Sequence, residues 1–155
     1  MKKIICLFTI FLAICSGVIA KDIKMPQYDI IGAGSGIEGT ILVKVYVYNK
    51  DVSDADFKRA AVHGIVFKGC EGNANGARQP AMAPPATEHE NKAYCDVFFA
   101  IDGECQNYAS IIAGSYERVK TKKGYTHGAI LQIDNIALRK ELEKAGIVRS
   151  LSSGF

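Results

Sequence analysis

The chain has 155 residues, the size of a single domain. Its 48% hydrophobic and 23% charged content is that of a globular chain and excludes a disordered one. The formal charge is +3, and 19 basic residues less Lys2 and Lys3 leaves 17 against 16 acidic ones; with no Lys/Arg stripe, this balance argues against a nucleic-acid surface.

Lys2 and Lys3 head an apolar run, 4–14, and Val18-Ile19-Ala20 places a small residue where a signal peptidase cuts. Residues 1–20 therefore read as a signal peptide, which implies export to the periplasm or the extracellular space. The run is too short for a good membrane span. A lipid anchor on Cys15 would need a small residue before it, and Ile14 stands there, so anchoring is disfavoured. The expected organisation is a signal peptide (1–20), an N-terminal segment with a glycine-rich connector (21–38) and one α+β domain (39–155).

Residues 28–31 read as a brief edge strand. Gly34, Gly36 and Gly39 then satisfy the G-x-G-x-x-G spacing of a dinucleotide fingerprint. That motif works only when its last glycine opens a helix whose N-terminus faces the pyrophosphate. Here the following residues, 40–48, are β-branched and aromatic and predict the strongest strand of the chain. The glycines are expected to form a connector or bulge, and no cofactor is expected.

Within 40–48, Ile41, Val43, Val45 and Val47 share one apolar face. Leu42, Lys44, Tyr46 and Tyr48 share the other, an amphipathic one. Lys44, Tyr46 and Tyr48, together with the 70–86 loop, are the candidate partner surfaces, since exposed tyrosines are common at interfaces; the alternative is that the strand-face residues lie under a helix. Ser53 and Asp56 have capping-box spacing and predict a helix start. Phe57, Ala60, Ala61, Gly64 and Ile65 recur at helical spacing and should pack on the strand's apolar face. Ile65-Val66-Phe67 could continue that helix or form a short strand.

Residues 70–85, rich in Gly, Asn, Ala and Pro, predict a mobile surface loop. Thr87 and Glu90 form a second capping-box pattern that predicts a helix to about residue 100, burying Tyr94, Cys95, Phe98, Phe99 and Ile101. Strands are expected at 108–119 and 125–133, joined by a hairpin turn at 121–124 with Gly124 free to take a positive φ. Asp134 or Asn135 should cap a last helix, 136–145, ended by Gly146. The expected fold is α+β: a mainly antiparallel four-stranded sheet with about three helices on one face.

Cys70, Cys95 and Cys105 remain after the signal peptide. A Cys70–Cys105 disulfide is the expected pairing, because both residues fall in predicted loops; three buried thiols are the alternative. His63, His89 and His127 lack zinc-ligand spacing, so no metal is expected. No local pattern activates Cys95 or Cys105 as a nucleophile. Asp54, Asp56, Glu88 and Glu90 are accounted for as helix-start carboxylates, and no catalytic residue is assigned.

The stretches AAVHGIVFKG, YCDVFFAI and ALRKELEKAGIVRSLSSGF resemble a family of small secreted bacterial α+β proteins of unassigned function, over most of the mature chain. The order of elements is also similar to modules of bacterial envelope lipoproteins and translocation accessories, which bind other proteins. That resemblance implies an exported, non-enzymatic binding or accessory module of the cell envelope, contacting another protein or a glycan. Two alternatives are a small secreted thiol- or histidine-based enzyme, and a subunit of a surface assembly with the 32–39 segment as a hinge for strand exchange.

Overall fold

The structure, a computed structural model, describes residues 24–72, 78–121 and 124–150. The predicted signal peptide, Cys15, part of the 70–85 loop, the Lys122-Lys123 turn and the terminal Gly154-Phe155 lie outside the described residues. The fold is α+β: the described residues form five strands in one antiparallel sheet and four α-helices.

The first two strands, β1 (Tyr28–Ser35) and β2 (Thr40–Val47), form a hairpin. β1 is longer than the edge strand expected, because the glycine segment pairs instead of acting as a loose connector. Gly32 faces Val43 and Gly34 faces Leu42, so Ala33 is the extra residue of a bulge. Gly39 takes φ +83° and turns the chain directly into β2. The last glycine of the fingerprint thus opens a strand, as its β-branched successors dictate.

β2 pairs along its length with β5 (Gly124–Asp134), whose other edge carries both β3 (Ala109–Ile111) and β4 (Glu117–Thr121). The single strand expected at 108–119 is therefore broken, which makes five strands where four were predicted. Its first residue, Tyr108, closes a 3₁₀ turn, Glu104–Tyr108. After Ile111 the chain leaves the ladder through Gly114 at φ +76°, and the Ser115 hydroxyl accepts the Ile130 N–H at 3.0 Å. A side chain thus fills the gap in the backbone pairing.

Helix α1 (Asp54–His63) starts as its sequence dictates: Ser53 and Asp56 exchange both bonds of a capping box. It continues without a break into a π-helical turn, Gly64–Lys68, which resolves the open reading of 65–67 in favour of helix. Pro84-Pro85 opens α2 (Pro85–Glu90), with proline at N1 and no side-chain cap, so the Thr87–Glu90 pattern does not act as a capping box. Asn91 interrupts the helix expected to reach residue 100, and α3 (Lys92–Phe98) follows. Cys95, Phe98 and Phe99 are buried as expected; Tyr94 is half-buried and Ile101 exposed. Helix α4 (Asn135–Lys144) is capped by the Asp134 carboxylate on Ala137 N–H at 2.9 Å. Gly146, at φ +74°, follows its end.

Val43, Val45 and Val47 of β2 are wholly buried with Ala129, Leu131 and Ile133 of β5. Phe57, Ala60 and Ala61 of α1, Cys95 and Phe98 of α3, and Leu138 and Leu142 of α4 join the same cluster. Each such Val, Leu, Ile or Phe side chain contributes about 1.5–3 kcal/mol. Of the alternate residues of β2 and β5, Leu42, Lys44, Tyr46, Ile130 and Gln132 are only half-buried, while Thr126 and Gly128 are buried. The buried helix residues thus share one side of the sheet, and the other side is left open.

The expected Cys70–Cys105 bridge is absent; both are buried free thiols, as is Cys95. Cys70 lies against the β1 edge, next to the Ile31–Glu71 bridge, whereas Cys105 precedes β3 at the far side of the order β1-β2-β5-β3. Three strand spacings, about 14 Å, exceed disulfide reach. No helix among the described residues is long and apolar enough to cross a membrane.

Candidate binding site

Two features meet where β1 begins and β2 ends: an open sheet face and a pocket at its border. The face is built by alternation. Asp29, Lys44, Tyr46, Glu117 and Val119 occupy positions on the side of the sheet away from the helices. Lys44 Nζ is 2.9 Å from Glu117 Oε1 and lies 5.2 Å from the Tyr46 ring centre. Its hydrogen bond with Glu117 raises the lysine pKa and lowers that of the carboxylate. Tyr48 donates to Asp29 at 2.5 Å and stays 44% exposed. Val119 is 48% exposed. The predicted surface residues Lys44, Tyr46 and Tyr48 therefore do share one open face.

The pocket, of about 760 Å³, is closed on one side by Tyr28, His63 and Glu88. His63 ends α1, and its ring is packed between Phe67 and Phe99, with centroids at 5.3 and 5.2 Å. Its Nδ1 is 2.6 Å from the Tyr28 hydroxyl, and its Nε2 is 3.0 Å from Glu88 Oε1. A carboxylate only accepts, so Nε2 carries the proton and Nδ1 accepts from the tyrosine. Burial lowers the His63 pKa, a pull that the Glu88 hydrogen bond partly opposes. Burial first, and the charge of Glu88 second, raise that of Tyr28. The neutral ring is thus fully hydrogen-bonded.

The π-helical turn is what delivers Glu88. A helix end leaves carbonyls without partners, and here Ile65 O and Val66 O accept from Met82 and Ala83 N–H at 3.3 and 2.9 Å. Gly69 ends the turn at φ +70°, and a Cβ there would stand 2.5 Å from Gln79 O. The ends of the expected mobile loop are therefore tied down: Cys70 and Gln79 exchange backbone bonds, and Ala83 is buried. Residues 73–77 lie outside the described residues. Lys68, the last residue of the turn, holds its ammonium 3.8 Å from the Tyr28 ring centre.

The other histidines do not join this cluster. His89 is exposed on α2, and His127 is half-buried on β5 with its Nε2 unpartnered among the described residues. Among the described residues no three His, Cys, Asp or Glu side chains are grouped to hold a metal ion. Burial pushes the Cys95 and Cys105 thiols up to about 11, away from the thiolate form a nucleophile needs. The Tyr28 hydroxyl and Glu88 are the site residues that sequence reasoning missed. They lie 35 and 25 residues from His63 and carry no local signal.

No family model, no curated protein and no solved structure matches this chain.

Proposed function

We propose that this chain is an exported, non-enzymatic accessory module of the bacterial cell envelope that binds another protein through the open face of its sheet. The supporting observation is the division of the sheet: the buried side chains of α1, α3 and α4 share one side, while Lys44, Tyr46, Tyr48 and Val119 lie on the other at most half-buried. Tyrosines on a rigid sheet present large contact area at little entropic cost. The Lys44–Glu117 pair at the centre supplies polar registration. An open sheet face of this kind suits a protein partner.

A crosslinking pull-down from the envelope fraction tests this reading. Capture should fall about tenfold for Tyr46→Ala and Val119→Glu, the size expected of central interface residues. It should be unchanged for Lys140→Glu, which alters an exposed residue of α4. Equal capture by all three variants would sink the proposal.

A further inference from the structure

The pocket beside the open face carries chemistry of its own, and we infer that it is a binding site for a neutral, polyhydroxylated ligand, a saccharide chain. This inference does not depend on the protein-binding reading and survives its failure.

Three observations carry it. The first is shape: about 760 Å³ lies within the range of small-molecule sites. The second is a pair of aromatic walls fixed in place before any ligand arrives. Tyr48 is held by its hydrogen bond to Asp29, and Tyr125 by the Arg118 guanidinium stacked 3.7 Å from its ring centre. Both rings are nonetheless close to half exposed, at 44% and 45%. A sugar ring presents one apolar face of C–H groups, which packs on such an aromatic plane, and prefixed walls reduce the ordering cost of binding.

The third is the polar complement. The Gln27 side chain, which lines the pocket, makes no hydrogen bond among the described residues and offers both donor and acceptor. Glu88 offers carboxylate lone pairs beyond the one used by His63, and Thr121 adds a hydroxyl. Hydroxyl groups, each both donor and acceptor, match this mixture. Among the described residues the one lining ammonium, Lys68, is opposed by Asp29 and Glu88, which disfavours a strongly anionic ligand. A purely apolar ligand would strand those polar groups. The Tyr28–His63–Glu88 chain is the floor that keeps Glu88 aimed inward.

The test is titration of the isotopically labelled full chain with two probes, chitotriose and maltotriose, followed by amide chemical shifts. The expected result is saturable movement at Gln27, Asp29, Tyr48, Glu88 and Tyr125 with at least one probe. An N-acetylated ligand is distinguished from a plain glucan by which probe acts. Tyr125→Ala should weaken binding about tenfold, the loss of one good contact. Val97→Ala, at an exposed position of α3 that does not line the pocket, should leave it unchanged. No movement with either probe at millimolar concentration would overturn the assignment, as would equal binding by Tyr125→Ala. Tyr48→Phe serves as a second variant: it keeps the ring, loses the Asp29 bond, and should bind more weakly while folding normally.

Discussion

The hydroxyl of Tyr28 stands 2.6 Å from Nδ1 of His63, joining the start of β1 to the end of α1. The tyrosine is the donor because Glu88 holds the ring's one proton at Nε2. Tyr28→Phe leaves a buried ring nitrogen without a partner and should cost about 1–3 kcal/mol. Urea unfolding would show this as a lower midpoint at unchanged slope; an unchanged midpoint would show that the bond carries nothing.

The same ring makes stability depend on pH. Its pKa is lowered in the folded state by burial, so below the ordinary histidine value the unfolded chain takes up the proton first. Stability should therefore fall as the pH drops from neutrality through that value, and level off once the folded ring is also charged. His63→Gln should flatten this segment of the profile. A wild-type curve that is flat, or that rises on acidification over this window, contradicts the assignment.

Gly69 is the residue that turns the chain from the π-helical turn toward α2. Both its positive φ and the 2.5 Å approach to Gln79 O forbid a side chain. Gly69→Ala should destabilise the fold by roughly 1–3 kcal/mol and displace Glu88, which follows on the same segment. The second effect is readable as a shift of the His63 ring resonances. Intact stability together with unmoved ring signals would refute it.

Arg59 is 2% exposed, donates to Phe99 O at 2.6 Å and lies 3.5 Å from Asp56. Arg59→Met fills the space but leaves a buried carbonyl and a carboxylate without their cation. A loss of about 2 kcal/mol is expected from thermal or denaturant unfolding. A neutral result would mean that water replaces the guanidinium.

The buried thiols should be inert. Cys70, Cys95 and Cys105 should react slowly with a thiol reagent in the native protein and completely in denaturant. Rapid native labelling of Cys105, which is wholly buried, would contradict the packing.

Much of the fold could be read from local chemistry. The alternation of 40–48 gave the core face, the Ser53–Asp56 spacing gave the start of α1, and Asp134 with Gly146 bracketed α4, because each signal acts within a few residues. The break in the strand expected at 108–119 was hidden, since Ser115 bonds to Ile130 only once β5 is in place. Asn91 splits a helix that periodicity alone would continue. The cysteine pairing failed for the same reason: loop membership says nothing about which sheet edge a loop reaches. The open face was legible in Lys44, Tyr46 and Tyr48. The Tyr28–His63–Glu88 cluster was not, because three separate elements supply it.

The central claim, that the helix-free side of the sheet is the contact surface, is tested most directly by a photo-crosslinking residue placed at position 119 or position 97. Both are exposed valines, one on the open face and one on α3. A discrete adduct with an envelope protein from position 119, and none from position 97, is the predicted result. An adduct from position 97 alone would place the contact on the helical side and contradict the account.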